Sequence, residues 1–287
     1  MSPEEIVSFF ISRGLHVVRT ASCWWYEEQR HSGLYYSFPT HRVIDPQADE
    51  SSELFDRAPS ALAFRFIAPL ESRGHPSFIW VRRPGYDLNA LSSKSRNQTR
   101  RGLESCEVRK IAWDELVSLA GAANADTMRR HGQNGSHSLG FDTELAKCPA
   151  YEAWGAFVDG DLAAYVVTLT VENWAHIMLQ RSVTAQLKLR PNNALIFLVV
   201  KELLSRPGIS SVGYGLEPLD VRDSLDHFKL GMGFVKEPVC QRILMAPRLR
   251  LLLNPITARP IEAFATLLPK VSRLQKVAGI CRLARKS

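Results

Sequence analysis

Between Leu187 and Phe234 the chain runs through Pro191-Asn192-Asn193, a long apolar stretch, a short glycine-rich stretch, and Asp226-His227-Phe228-Lys229 closing on Gly231-Met232-Gly233-Phe234. Asn192 or Asn193 is expected to cap a helix whose apolar positions Leu195, Ile196, Leu198, Val199 and Leu203 call for burial on a sheet. Arg206-Pro207-Gly208 stops that helix, and Ile209 to Gly215 reads as a short strand. Asp223 or Ser224 can cap the next helix, which carries Leu225, Phe228, Lys229 and Met232, and Val239 to Met245 reads as a last strand. A strand-helix-strand-helix unit of this kind offers backbone N–H groups, a strand edge and a lysine to one crevice, which suits an acyl or phosphate ligand.

What precedes this unit sets its class. Ser2, Pro3 and Glu5 form a helix-start signature ahead of Ile6, Phe9 and Phe10, and Gly14 ends the turn. From Val17 to about Leu62 the pattern is irregular, with a polar loop expected from Asp45 to Ser52. The cluster Trp24-Trp25-Tyr26 reads either as a stacking platform or as buried aromatics anchoring a small lobe. Ala63–Ala68 and Phe78–Val81 read as strands. Lys94, Arg96, Arg100 and Arg101 give the next helix a cationic face, either a contact for a phosphorylated substrate or a solvated surface. A strand over Cys106–Ile111 and one amphipathic helix over Trp113–Arg130 follow. Ala153–Val158 and Leu162–Val171 form a hairpin at Asp159-Gly160, extended by Trp174–Gln180. An antiparallel meander leading into strand-helix-strand-helix-strand is an α/β arrangement with helices on a mixed sheet.

Charge is unevenly spread. The chain carries a formal +7, yet residues 247–287 hold nine Lys or Arg against the single acid Glu262, so the tail is the basic element and the 246 residues before it are nearly neutral. Five scattered cysteines (Cys23, Cys106, Cys148, Cys240, Cys281) with no C-x-x-C pair point to buried thiols in a reducing compartment rather than to disulfides or zinc. His131 and His137 are too loosely spaced, without a third ligand, to indicate a metal. The acidic start Met1-Ser2-Pro3-Glu4-Glu5 lacks the character of a secretion signal, and no apolar run approaches the ~20 residues of a membrane span. A cytoplasmic protein is expected, with peripheral attachment to the inner membrane face as a variant.

Two stretches resemble the GNAT superfamily of N-acyltransferases, and more closely its FemAB-like branch of acetyltransferase-like and peptidoglycan aminoacyltransferase proteins. The first runs from Lys94 to Glu104 and is similar to that branch's basic helix. The second comprises Pro191-Asn192-Asn193-Ala194-Leu195 through Lys201, then Gly208, Gly213-Tyr214-Gly215, Phe228-Lys229 and Gly233-Phe234. The resemblance implies a GNAT-like mixed, largely antiparallel sheet with flanking helices over residues 91–246. A reduced N-terminal lobe (1–90) precedes it and the basic tail (247–287) follows.

It further implies transfer of an acetyl or aminoacyl group to an amine, from acyl-CoA or aminoacyl-tRNA, with no metal. The acceptor would be a small-molecule or cell-envelope amine, and RNA would be a partner only as the donor's carrier. Lys229 and Tyr214 are then the catalytic candidates, Lys229 because the lysine after this phenylalanine faces the donor in such proteins. Arg190, Asn192, Asn193 and Ala194 stand where coenzyme A pyrophosphate is usually held, though without the usual glycines. Arg96, Arg100 and Glu217 are candidates for substrate contact, with Asp220 and His227 as weaker bases. A ligand-binding protein that keeps this fold without its chemistry is the alternative of a different class. Val271, Leu274, Val277, Ala278 and Cys281 share one helical face beside Arg273 and Lys276, a pattern suited to anionic lipid or to packing on the body. In the lipid case, anionic liposomes sediment the full chain and lose most of it when residues 247–287 are removed; equal sedimentation of both would remove the membrane role.

Overall fold

A computed structural model describes residues 1–27, 29–130, 143–217, 223–247 and 249. His131, His137 and Asp220, and nearly all of the tail over 247–287, lie outside them. The described residues fall into two compact units, an N-terminal one (2–27, 29–79, 216–217, 237–247 and 249) and a central one (1, 80–130, 143–215 and 223–236).

The N-terminal unit opens with α1 (Pro3–Ser12), whose start is a reciprocal cap. The Glu5 N–H donates to the Ser2 hydroxyl at 3.3 Å and the Ser2 N–H donates to the Glu5 carboxylate at 2.8 Å. Strands β1 (Val17–Arg19), β2 (Trp24–Glu27) and β3 (Leu34–Phe38) follow, then α2 (Ala48–Arg57), β4 (Ala63–Ala68) and β5 (His75–Arg82), which runs on into the central unit. β1, β2 and β3 pair antiparallel in sequence, and β3 pairs parallel with β4. Of the aromatic cluster Trp25 is core, fully buried with Phe64 and Phe66 edge-on at 5.5 and 5.7 Å, while Trp24 and Tyr26 are half-buried. The polar loop expected over Asp45–Ser52 is instead the entry to α2, because one fully buried side chain, Leu54, and the grip of Ser22 on Glu50 (2.6 Å) suffice to hold a polar helix down.

In the central unit come α3 (Ser93–Ser105), β6 (Glu107–Ile111), α4 (Trp113–Leu119), α5 (Gly121–Arg130), β7 (Tyr151–Val158), β8 (Asp161–Val171), β9 (Trp174–Ser182), α6 (Pro191–Ser205), β10 (Ser211–Leu216) and α7 (Asp223–Gly231). The single helix expected over Trp113–Arg130 breaks between Leu119 and Gly121. β6, β7, β8 and β9 form an antiparallel meander, and β10 joins β9 in parallel. β8 is buried continuously from Leu162 to Leu169, as a strand covered on both faces must be; α6 packs on β7 and β8, and α5 on β8 and β9. The last strand, β11 (Val235–Met245), pairs antiparallel with β4, Met245 opposite Ala63 and Cys240 opposite Ala68. Cys23, Cys106, Cys148 and Cys240 are buried free thiols, and no described helix is long and apolar enough to cross a membrane.

The start of α6 departs from the sequence reading. Neither asparagine caps it; Arg190 does, with a left-handed backbone (φ 62°), and Pro191 takes the first helical position, where its missing N–H costs nothing. The Arg190 carbonyl points at α3, where a Cβ added to Gly102 would stand 2.6 Å from it and 3.1 Å from the Ala194 Cβ. Gly102 is therefore the close-approach point of α3 and α6. Replacing it with Ala forces the helices apart and is expected to lower stability by about 1–3 kcal/mol in urea unfolding. Gly121→Ala meets open space in a helix and should be neutral or stabilising by up to about 1 kcal/mol.

Candidate functional site

The parallel pairing of β9 with β10 extends over three residue pairs, Trp174–Ser211, Ala175–Val212 and His176–Gly213. At the last pair a Cβ on residue 213 would lie 3.0 Å from the His176 imidazole, so glycine sets how closely the strands approach. Immediately beyond, the β8–β9 register slips by one residue at Met178, a bulge that bends β9. The strands part, and a cavity of about 500 Å³ opens between Ile177–Ser182 of β9 and Tyr214-Gly215 of β10, closed by Thr127, Met128 and Arg130 of α5, Asn192 of α6, and Phe228 and Lys229 of α7.

Across this gap the Tyr214 hydroxyl donates to Gln180 Oε1. Burial pushes the phenol well above its usual range, which keeps Tyr214 protonated and makes it a neutral donor. Lys229 comes from the last turn of α7. Its Nζ donates to the Tyr214 carbonyl at 2.8 Å and lies 4.7 Å from the Tyr214 ring and 5.7 Å from the Trp80 ring. Burial draws its pKa down to about 8, partly opposed by Asp226, so near neutral pH it is a poorly hydrated ammonium that holds its proton loosely.

At the α5 side, Arg130 is fixed by four acceptors: Thr184 Oγ1 at 2.5 Å, Ser182 Oγ at 2.9 Å, Thr127 Oγ1 at 3.0 Å and the Ser182 carbonyl at 3.1 Å. Asn192 donates to Ser182 Oγ at 3.3 Å, while its own carbonyl oxygen is buried without a partner. An orphaned acceptor of this kind costs about 1–3 kcal/mol unless a ligand donates to it. The described lining residues include three cations, Arg130, Arg181 and Lys229, and no Asp, Glu or His. The cavity is positive and fits a ligand bearing phosphate or another anion.

Of the residues singled out in the sequence, the cavity brings together Lys229, Tyr214 and Asn192. Asn193 turns inward, donating to Met232 Sδ at 3.5 Å, and Ala194 is fully buried; the N–H groups of both are spent on the Arg190 carbonyl. The free N–H groups expected at this helix start are thus reduced to what Asn192 offers. Arg96 binds the carbonyls of Leu88 (2.9 Å), Leu91 (3.3 Å) and Asn89 (3.4 Å), fastening a 3₁₀ turn, and Arg100 is exposed on α3. Glu217 belongs to the N-terminal unit, where it accepts from Ser77 Oγ at 2.8 Å, and His227 is exposed. Gln180, Arg130 and Ser182 escaped the sequence reading. Their one signal was polar residues, Gln180-Arg181-Ser182, ending an apolar strand.

No protein-family model matches the chain, and comparison with curated proteins finds no match. Solved structures do match. FemX superposes with a TM-score of 0.60 at 11% identity, covering 86% of this chain and 92% of its own. The C-terminal (DUF2156) domain of a putative lysylphosphatidylglycerol synthetase from Agrobacterium fabrum gives 0.53 at 12% identity, over 83% of this chain and 89% of its own. A GCN5-related N-acetyltransferase from Kribbella flavida gives 0.51 at 11% identity, over 85% and 94%. The GNAT-like, FemAB-like fold expected from the two motifs is the fold observed.

The lowered Lys229 pKa makes a stability prediction. Between pH 8 and 10.5 the unfolded lysine still binds a proton that the folded one has lost, so stability rises with pH across this window; below pH 8 both states are charged and the burial cost is constant. Compared with Lys229→Met in urea unfolding, the wild type should gain up to about 1.4 kcal/mol per pH unit between pH 8 and 10.5 and nothing below. Parallel profiles would refute the buried-lysine assignment.

Proposed function

We propose that the central unit is an acyl- or aminoacyltransferase that moves its group directly onto an amine, with Lys229 as the cation facing the reacting carbonyl. The observation that carries this reading is Lys229 itself, held by the Tyr214 carbonyl and two aromatic faces at the wall of the cavity opened by the parting of β9 and β10. In the reaction the amine nitrogen bonds to the carbonyl carbon. The carbon–oxygen bond of an ester, or the carbon–sulfur bond of a thioester, breaks, and the amine proton leaves with the departing oxygen or sulfur. Negative charge gathers on the carbonyl oxygen, and a preorganised cation out of water stabilises it by about 2–4 kcal/mol.

The donor is of the kind carried by coenzyme A or tRNA, whose phosphates suit a cavity whose described lining residues include three cations and no acid. Arg130, immobilised by Thr127, Ser182 and Thr184, holds the anionic part, and Asn192 accepts a hydrogen bond from the donor through its free carbonyl oxygen. The similar structures include FemX and a putative lysylphosphatidylglycerol synthetase; together with the basic stretch 247–287 they favour an aminoacyl donor and an amine acceptor of the cell envelope. A second reading, binding without turnover, is supported by the spent N–H groups of Asn193 and Ala194 and by the lack of a carboxylate or imidazole among the described lining residues.

Incubation of the protein with labelled aminoacyl-tRNA or acetyl-CoA and a panel of amine acceptors, read by mass spectrometry, tests the assignment. Lys229→Met should slow transfer by about 10²–10³-fold, with its melting temperature unchanged or raised. Full activity in that variant would remove Lys229 from the mechanism, and donor binding with no transfer to any acceptor would favour the binding-only reading.

A further inference from the structure

The N-terminal unit contains a second concavity, of about 320 Å³, between the end of α1, the β2–β3 hairpin and the end of α2. It lies at the small end of ligand-sized cavities, which run from about 300 to 1,000 Å³. At its base stands Glu27, the last residue of β2, only 5% exposed. One carboxylate oxygen accepts from the Gly33 N–H at 2.8 Å. The other has no hydrogen-bond partner, and the carboxylate no ion pair, among the described residues. That second oxygen faces the cavity, where it can accept a charge-assisted hydrogen bond from a cationic group.

Beside it Tyr35, 1% exposed, is fixed by a 2.7 Å hydrogen bond between its hydroxyl and His16 Nδ1. Burial and the Glu27 charge together push this phenol up to about 12, so it stays a neutral group. The rim carries the opposite charge. Arg30 is anchored through Nε to the Arg13 carbonyl at 2.9 Å, and Arg57 through Nη1 to the Arg19 carbonyl at 2.7 Å and by Glu53 at 2.7 Å. Each guanidinium keeps further N–H donors for a ligand. The cavity is thus lined by one acid and two held arginines, of which Arg57 is already paired with Glu53, so it offers an acceptor to a cation and N–H donors to an anion. The charge order matches a molecule with an ammonium at one end and a carboxylate at the other.

We propose that this cavity binds a free α-amino acid, its ammonium on Glu27 and its carboxylate toward Arg57 and Arg30, as a site separate from the central cavity. The test is titration calorimetry of the full chain against the twenty amino acids at up to 10 mM. For whichever binds, the N-acetyl and carboxamide derivatives and inorganic phosphate are then titrated. At least one free amino acid should bind, and capping either end should weaken it tenfold or more. Glu27→Gln, which still accepts the Gly33 N–H, should weaken binding tenfold or more. Arg57→Ala, an exposed change, should weaken it severalfold even if the Glu27 variant fails to fold. Lys229→Met should leave binding unchanged, which separates this site from the central one. The proposal is overturned if no amino acid binds, if a capped derivative or phosphate binds as tightly, or if Lys229→Met rather than Arg57→Ala abolishes binding.

Discussion

The pairing of β9 with β10 ends at His176 and Gly213, where anything larger than hydrogen on residue 213 would press on the imidazole 3.0 Å away. Parallel strands held to the end of their length would leave no room between them. Here a close approach on one side and a bulge at Met178 on the other turn the strands apart, and two side chains, Tyr214 and Gln180, span the gap the backbone no longer closes. Everything assigned to the central cavity, including the lysine on α7 and the arginine on α5, is placed relative to that divergence.

What the sequence revealed follows from how local each signal is. The β7–β8 hairpin announced itself through Asp159-Gly160 between apolar runs, α6 through its apolar spacing, and Lys229 through its place after Phe228. α2 was hidden because its grip depends on Glu50 meeting Ser22, a residue 28 positions earlier. The β4–β11 pairing joins Ala63 to Met245, a partnership no local pattern encodes. Arg130 and Ser182 had no readable role because a polar side chain at a helix or strand end means little until its partners are known.

The same difficulty explains the start of α6. Two consecutive asparagines are good capping residues, yet capping depends on backbone conformation, and here the left-handed turn falls on Arg190. One asparagine is then free to face the cavity while the other is drawn into the interior toward Met232.

That turn also decides where the cavity gets its positive charge. Where a helix start offers bare amides to an anion, the attraction comes from peptide dipoles, which carry no titratable proton. Here the Arg190 carbonyl takes up the N–H groups of Asn193 and Ala194 and leaves only that of Asn192, so among the described lining residues the attraction rests mainly on Lys229, Arg130 and Arg181. A site charged by side chains answers to its surroundings. Its hold on an anion weakens as ionic strength rises, and above about pH 8, where Lys229 gives up its proton, it loses one of three charges, so alkalinity alone can loosen a ligand that a peptide-dipole site would retain.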